Sequence, residues 1–336
     1  MADTRTDDQR KAAPLLLSSS PHIASPVNTN MLMGTMLIAL APVSIFGVVL
    51  FGLPALLNIV VAAAAAIAGE ALFRLATRQP LRVKDLSAGV TGVLLALVIP
   101  PSLPLWMTAL GAVFAVVVAK EFFGGLGANV FNPALIGRAF LMMSFPAAMT
   151  TWHSPQDGFA LALTDATSGA SLLGIARAGR EMGPYWQTIR EMFFGYRAGC
   201  TGETSILLIL AAFIFLFAVK AIDWRTPVSM VVTACIAAFA LGLDPLFTIL
   251  SGGLVFGAVY MATDYVTAPV TPLGKIIFGA GAGLIAILIR KWGNYPEGVS
   301  YGILIMNCAV PFLNRLLPRK YGYVSRKKPA STGGAK

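Results

Sequence analysis

Residues 31–51 read MLMGTMLIALAPVSIFGVVLF, twenty-one positions without a charge. A transmembrane helix needs about 20 predominantly apolar residues, so this run alone turns the reading away from a soluble fold. The rest of the chain repeats the pattern. Of its 336 residues 57% are hydrophobic and 12% charged, whereas a soluble domain carries about a quarter charged residues. Further apolar runs follow at 53–76, 86–100, 104–123, 132–149, 204–221, 228–243, 246–264, 272–289 and 299–317. The expected fold is an all-α polytopic integral membrane protein of about ten transmembrane helices. Runs 86–100 and 228–243 are short for a span and read as broken or re-entrant segments, which survive only where protein or a cavity surrounds them.

Charge placement sets the orientation. Arg74, Arg78, Arg82 and Lys84 lie between the second and third runs, and Lys220 and Arg225 between the sixth and seventh. Arg315, Arg319, Lys320, Arg326, Lys327 and Lys328 follow the last. With ten spans all fall on one side with the N-terminus, and the positive-inside rule makes that side cytoplasmic. The expected division is a cytoplasmic segment 1–30, a first membrane half 31–149, an external loop 150–203, a second half 204–317 and a basic cytoplasmic tail 318–336. The net charge of +10 is spread over span ends and tail, so no nucleic-acid domain is expected. The first twenty residues are polar, with an apolar core at Leu15-Leu16-Leu17 too short for a cleavable signal. Cys200, Cys235 and Cys308 are widely spaced, and His22 and His153 complete no metal set.

Within the polar loop, Asp165-Ala166-Thr167-Ser168-Gly169-Ala170-Ser171 gathers hydroxyls among small residues. By residue type this is an Asx/Ser-rich turn; small neighbours also leave a hydroxyl open to modification. The run resembles the flavinylation sequence Asp-x-x-Ser/Thr-Gly-Ala-Thr/Ser of the membrane subunits of Rnf and Na⁺-translocating NADH:quinone reductase complexes. Three further blocks are similar to the same families: Ser20-Pro21-His22-Ile23; Asn129-Val130-Phe131-Asn132-Pro133-Ala134-Leu135 with Arg138-Ala139-Phe140; and Thr263-Asp264-Tyr265-Val266-Thr267-Ala268-Pro269-Val270-Thr271-Pro272 with Gly274-Lys275. Together they cover nearly the whole chain, and the short N-terminal segment favours the Rnf side of the family, its D subunit.

The resemblance implies FMN joined through its phosphate to Ser171, with Asp165, Ser168, Gly169 and Ala170 completing the motif a flavin transferase reads. The commoner family form has Thr at the acceptor followed by Pro, where this chain has Ser171-Leu172; Thr167 and Ser168 are the alternative acceptors. It also implies a noncovalent riboflavin and a bacterial inner-membrane location with the flavin loop periplasmic. The implied partners are other Rnf subunits, among them a second covalent-FMN subunit, and the implied fold is two five-helix halves, as in urea transporters. The expected function is electron transfer in a complex coupling ferredoxin:NAD⁺ oxidoreduction to Na⁺ or H⁺ translocation. The alternatives are the flavin-carrying membrane subunit of a Na⁺-translocating NADH:quinone reductase and, in another class, a channel or transporter without redox function.

Glu121 and Asp264 end apolar runs. Either they lie at the membrane surface, with Lys120 pairing Glu121, or they are held deeper, where an ionisable group costs about 2.5–3.5 kcal/mol and calls for a partner or an ion. The resemblance points both towards an ion path. Arg138 reads as a residue snorkelling to the interface, and His22 as a cytoplasmic contact. Gly124-Gly125-Leu126-Gly127 and Gly279-Ala280-Gly281-Ala282-Gly283 follow no strand, so they are not dinucleotide loops. The first reads as a link between spans and the second as a close-packing helix surface. A weak repeat relates Gly111-Ala112-Val113-Phe114 to Gly253-Leu254-Val255-Phe256, and Asn132-Pro133 to Thr271-Pro272.

Overall fold

The computed structural model describes residues 28–81, 83–155, 168–169, 174, 184–293 and 298–316. Each apolar run holds helix. The first two join as α1 (Thr29–Ala76), 48 residues with a break at Gly52, whose φ of 70° and ψ of −149° are non-helical. An unbroken helix of that length would reach about 70 Å, more than twice the hydrocarbon thickness of about 30 Å. Glycine takes the left-handed φ without a Cβ penalty, and Pro54 follows at once.

The chain continues as α2 (Ser87–Leu97), α3 (Leu105–Val117) with a 3₁₀ turn at Glu121–Phe123, α4 (Pro133–Ser144) and α5 (Pro146–Met149). Two short strands, β1 (Trp152–His153) and β2 (Ser168–Gly169), and α6 (Tyr185–Phe194) belong to the polar loop. Then come α7 (Ile206–Ala218), α8 (Arg225–Ala240), α9 (Pro245–Leu250) and α10 (Leu254–Phe256), the last running into a π-turn at Gly257–Met261. α11 (Pro272–Trp292) and α12 (Val299–Leu313) complete the described helices. Three stretches are long and apolar enough to cross a membrane by length and composition: Thr29–Ala76, Leu105–Phe123 and Pro272–Trp292.

Helix starts follow a common device. Asn132, Asp244 and Thr271 each precede a proline, and each side-chain oxygen accepts from backbone N–H groups of the first turn. Such N-caps satisfy donors that have no partner in the helix itself. Asn132-Pro133 and Thr271-Pro272 are therefore equivalent as helix starts. The rest of the suggested repeat does not share a setting: Gly111 lies inside α3 against Leu141, while Gly253 precedes α10 beside Glu203.

α1 packs on α2 and α3, and α3 on α4; after the loop, α11 packs along α8 and α12. A Cβ on Gly279 or Gly283 would overlap Thr226, Ser229 or Met230 of α8, and one on Gly281 would overlap Met306 of α12. The small-residue run is thus a close-packing surface on two faces. Large apolar side chains line the outward faces, among them Ile38, Ile45, Ile214 and Phe239. Contiguous exposed apolar surface marks contact with lipid or protein, and with helices of spanning length it makes this a multi-pass membrane protein.

A polar seam joins the helices before the loop to those after it. Tyr260 Oη donates to the Ala39 carbonyl at 2.9 Å, and Asn132 Nδ2 to the Met261 carbonyl at 3.3 Å. The Gly202 N–H donates to the Leu97 carbonyl at 2.7 Å and the Cys200 thiol to that of Val98 at 3.1 Å. α2 therefore ends inside the protein on partners from the segment after α6.

Candidate functional site

Of the hydroxyl motif, Ser168 and Gly169 form β2, antiparallel to β1 with Trp152 opposite Gly169 and His153 opposite Ser168. Trp152 is buried, and the buried His153 Nδ1 has no hydrogen-bond partner among the described residues. Asp165, Thr167, Ala170 and Ser171 lie outside the described residues, as do His22 and the Ser-Pro-His block.

The far end of the loop is tied down by buried charge. After α6 closes at Gly195, with φ of 107°, Arg197 donates to the Leu250 carbonyl at 2.6 Å and to the Glu203 carbonyl. Arg290 of α11 donates to the carbonyls of Thr248 at 2.6 Å and Ser251 at 3.1 Å. These carbonyls close the short α9, whose C-terminal end carries partial negative charge. On the other side of the break the Glu203 carboxylate lies so near Gly253, before α10, that a Cβ there would overlap it. The discontinuous helix is thus compensated at both inner ends. Arg197, Glu203 and Arg290 drew no functional reading from sequence; the signal was charge adjoining an apolar run with a Ser251-Gly252-Gly253 interruption.

The opposite end of the molecule holds a closed ionic network. Arg74 Nη2 lies 3.1 Å from Glu121 Oε2, and Arg74 Nε 3.5 Å from Glu70 Oε1. Lys120 Nζ is 3.1 Å from Glu70 Oε2 and donates to Ser87 Oγ at 2.6 Å. All four charged residues are at most 4% exposed, and two carboxylates balance two cations. Glu121 is thus buried within the protein and its partner is Arg74; Lys120 serves Glu70 instead. Of the 124–127 glycines, Gly125 lies against the Arg74–Glu121 pair. Gly124, Gly125 and Gly127 have φ of 111°, 89° and 97°, and a Cβ on Gly125 would come within 2.6 Å of Arg74 Nη2.

Asp264 lies in the turn after the π-segment, where Thr267 Oγ1 donates to its carboxylate at 2.8 Å. With Thr263, Tyr265, Asp223 and Lys275 it borders a cavity of about 210 Å³. Asp223 holds Lys275 at 3.0 Å and Arg225 at 3.1 Å. Partial burial pushes the Asp223 carboxyl upward, but the Arg225 backbone N–H and the two cations outweigh it and hold the group below its ordinary range. Arg138 departs from the snorkelling expectation. It is buried and donates to Ser300 Oγ at 2.5 Å, joining α4 to α12, because its position on α4 faces the seam rather than an end. Glu121 and Asp264 therefore belong to separate clusters.

A discontinuous-helix membrane protein with charged groups buried at both ends and a polar insert between its helices is the class these features define. The chain belongs to the NQR2, RnfD, RnfE family, whose model matches residues 16–322. It is 41% identical over 316 residues to the D subunit of the proton-translocating ferredoxin:NAD⁺ oxidoreductase complex of Clostridium ljungdahlii, covering 91% of this chain and 96% of that one. The D subunit of the Na⁺-translocating ferredoxin:NAD⁺ oxidoreductase complex of Acetobacterium woodii is 41% identical over 320 residues, covering 94% and 98%. The D subunit of an ion-translocating oxidoreductase complex of Stutzerimonas stutzeri is 39% identical over 324 residues, covering 87% and 92%.

Proposed function

We propose that this chain is the D subunit of an Rnf-type complex that couples ferredoxin:NAD⁺ oxidoreduction to Na⁺ or H⁺ translocation, and that it carries FMN on Ser171. The carrying observation is near-full-length similarity to the D subunits of two such complexes, together with Asp165-x-x-Ser168-Gly169-Ala170-Ser171. In flavinylation the Ser171 hydroxyl oxygen would bond the flavin-side phosphorus of FAD, losing its proton as AMP leaves. Gly169 and Ala170 put no bulk beside that oxygen. His153 Nδ1, without a partner among the described residues and on the strand facing Ser168, suits a polar ligand at this end of the loop. Ser171 would hold the phosphate covalently, and His153 would donate to a phosphate or flavin oxygen. Once bound, the flavin supplies one- and two-electron redox chemistry, and the protein tunes and places it.

The same reading includes a bacterial inner-membrane site, a periplasmic flavin loop, ten spans in two halves and a noncovalent riboflavin. Of the two ion-path carboxylates, Asp264 has the better setting, at the edge of a cavity; Glu121 is already neutralised by Arg74. The family model also covers the quinone-reductase counterpart, which makes the flavin-carrying membrane subunit of that complex the second reading. Deleting the gene and assaying inverted membrane vesicles separates them. Loss of ferredoxin-dependent NAD⁺ reduction and its ion gradient is expected. Loss of NADH:quinone reduction alone supports the second reading, and no loss of either contradicts both.

A further inference from the structure

α6 is unlike the helices around it. It carries Gln187, Arg190 and Glu191, so it is too polar for hydrocarbon, yet it exposes Trp186 at 74% with Tyr185, Phe194 and the following Tyr196. Trp186, Arg190 and Phe194 recur at four-residue spacing and share one stripe; all three are exposed. The opposite side is fixed to the protein through buried Thr188 and Met192. The Asp244 carboxylate at the start of α9 lies close enough to Tyr185 to raise its phenol above its ordinary range. The outward stripe is therefore the free one.

The other tryptophans show what meets it. Five occur in the chain. Trp152 is buried, and Trp224 marks the end of the molecule near Asp223. Trp106 and Trp292 are exposed at 58% and 69%. Trp106 begins α3, whose other end leads to the Glu121 network, and Trp292 ends α11, whose Arg290 caps the α9 that α6 touches. Trp106, Trp186 and Trp292 thus lie towards one end of the molecule, each beside an apolar helix. Exposed tryptophans towards one end of a membrane protein fit a lipid–water interface. α7, in contact with α6, continues outward as Leu207, Leu210 and Ile214 with no charge at all.

We propose that α6 lies in the lipid–water interface at the end of the molecule bearing the 150–203 loop. Its Trp186 and Phe194 enter the glycerol level, and Arg190 takes a phospholipid phosphate. The helix fixes the height above the membrane at which the loop re-enters the protein. Interfacial helices turn aromatic residues towards the acyl boundary and use basic side chains on the headgroup side. The inference rests on the helix and on these exposed tryptophans, independently of any flavin.

The test uses the full chain in phosphatidylcholine vesicles, with the Trp186 emission taken as the difference between the unaltered chain and Trp186→Phe. That emission is expected to be blue-shifted from tryptophan in water. It should lose most intensity with phosphatidylcholine brominated near the glycerol end of its acyl chains, and less with bromine near the methyl end. Quenching by aqueous iodide but by no brominated lipid would overturn the proposal by putting α6 in water. Insensitivity to both would overturn it by putting protein, its own loop or a partner subunit, over the stripe. In Arg190→Glu the lipid quenching is expected to fall; quenching left unchanged would overturn the phosphate contact.

Discussion

The four buried charges at the ends of α1 and α3 make a neutral set, and neutrality decides what each substitution does. Removing one partner of a buried pair strands the other and costs about 3–5 kcal/mol, whereas removing both is often tolerated. Arg74→Met strands Glu121 and removes one of two cations facing Glu70, so a marked fall in thermal stability is expected in detergent. The double variant Arg74→Met/Glu121→Leu keeps the Glu70–Lys120 pair and should recover much of that loss. Ion transport retained in the double variant would make the network a lock between helices; transport lost from a stable double variant would return Glu121 to the ion path. Arg74 was legible only as a charge at a span end, and Glu70 carried no reading. Their ties to Lys120 and Glu121, 50 and 47 positions away, were not legible, because nothing local encodes which carboxylate meets which cation.

At the scale of elements, α8 and α11 are held by small residues along their length and by charge at one end. Gly283→Leu would drive a side chain into the Met230 backbone; such overpacking costs about 1–3 kcal/mol and should lower the melting temperature. Asp223 pins the start of α8 to Lys275 of α11. Its folded pKa lies below the ordinary 3.8, so between those values the unfolded chain binds the proton more readily than the folded one. The contribution to stability is therefore complete above the ordinary pKa and fades as pH falls through the folded value. Asp223→Asn should lower stability at neutral pH and flatten the acid limb of a pH–stability curve; an unchanged acid limb would contradict that assignment. The Gly279–Gly283 spacing revealed a close-packing surface from sequence alone. The break between α9 and α10 was hidden inside a run that still reads as apolar, and only its arginine and glutamate partners, from distant positions, make an interrupted helix tenable.

For the whole molecule, composition and charge placement were enough for a mostly helical, multi-pass protein, because apolar outward faces and sparse charge are global properties; the short β1–β2 pair in the polar loop was not foreseen. Which helices share a seam was not legible, since Tyr260 to Ala39 and Arg138 to Ser300 join positions far apart in sequence. The motif around Ser171 was legible only through its resemblance to a modified sequence, since its residue types alone describe a turn. The decisive measurement is in-gel ultraviolet fluorescence of the denatured chain, co-expressed with a flavin transferase shown to be active, for the unaltered protein beside Ser171→Ala. The expected result is a fluorescent band that disappears in the variant. A band that persists would move the linkage to Thr167 or Ser168, and no band in either chain would contradict a covalent flavin in this protein.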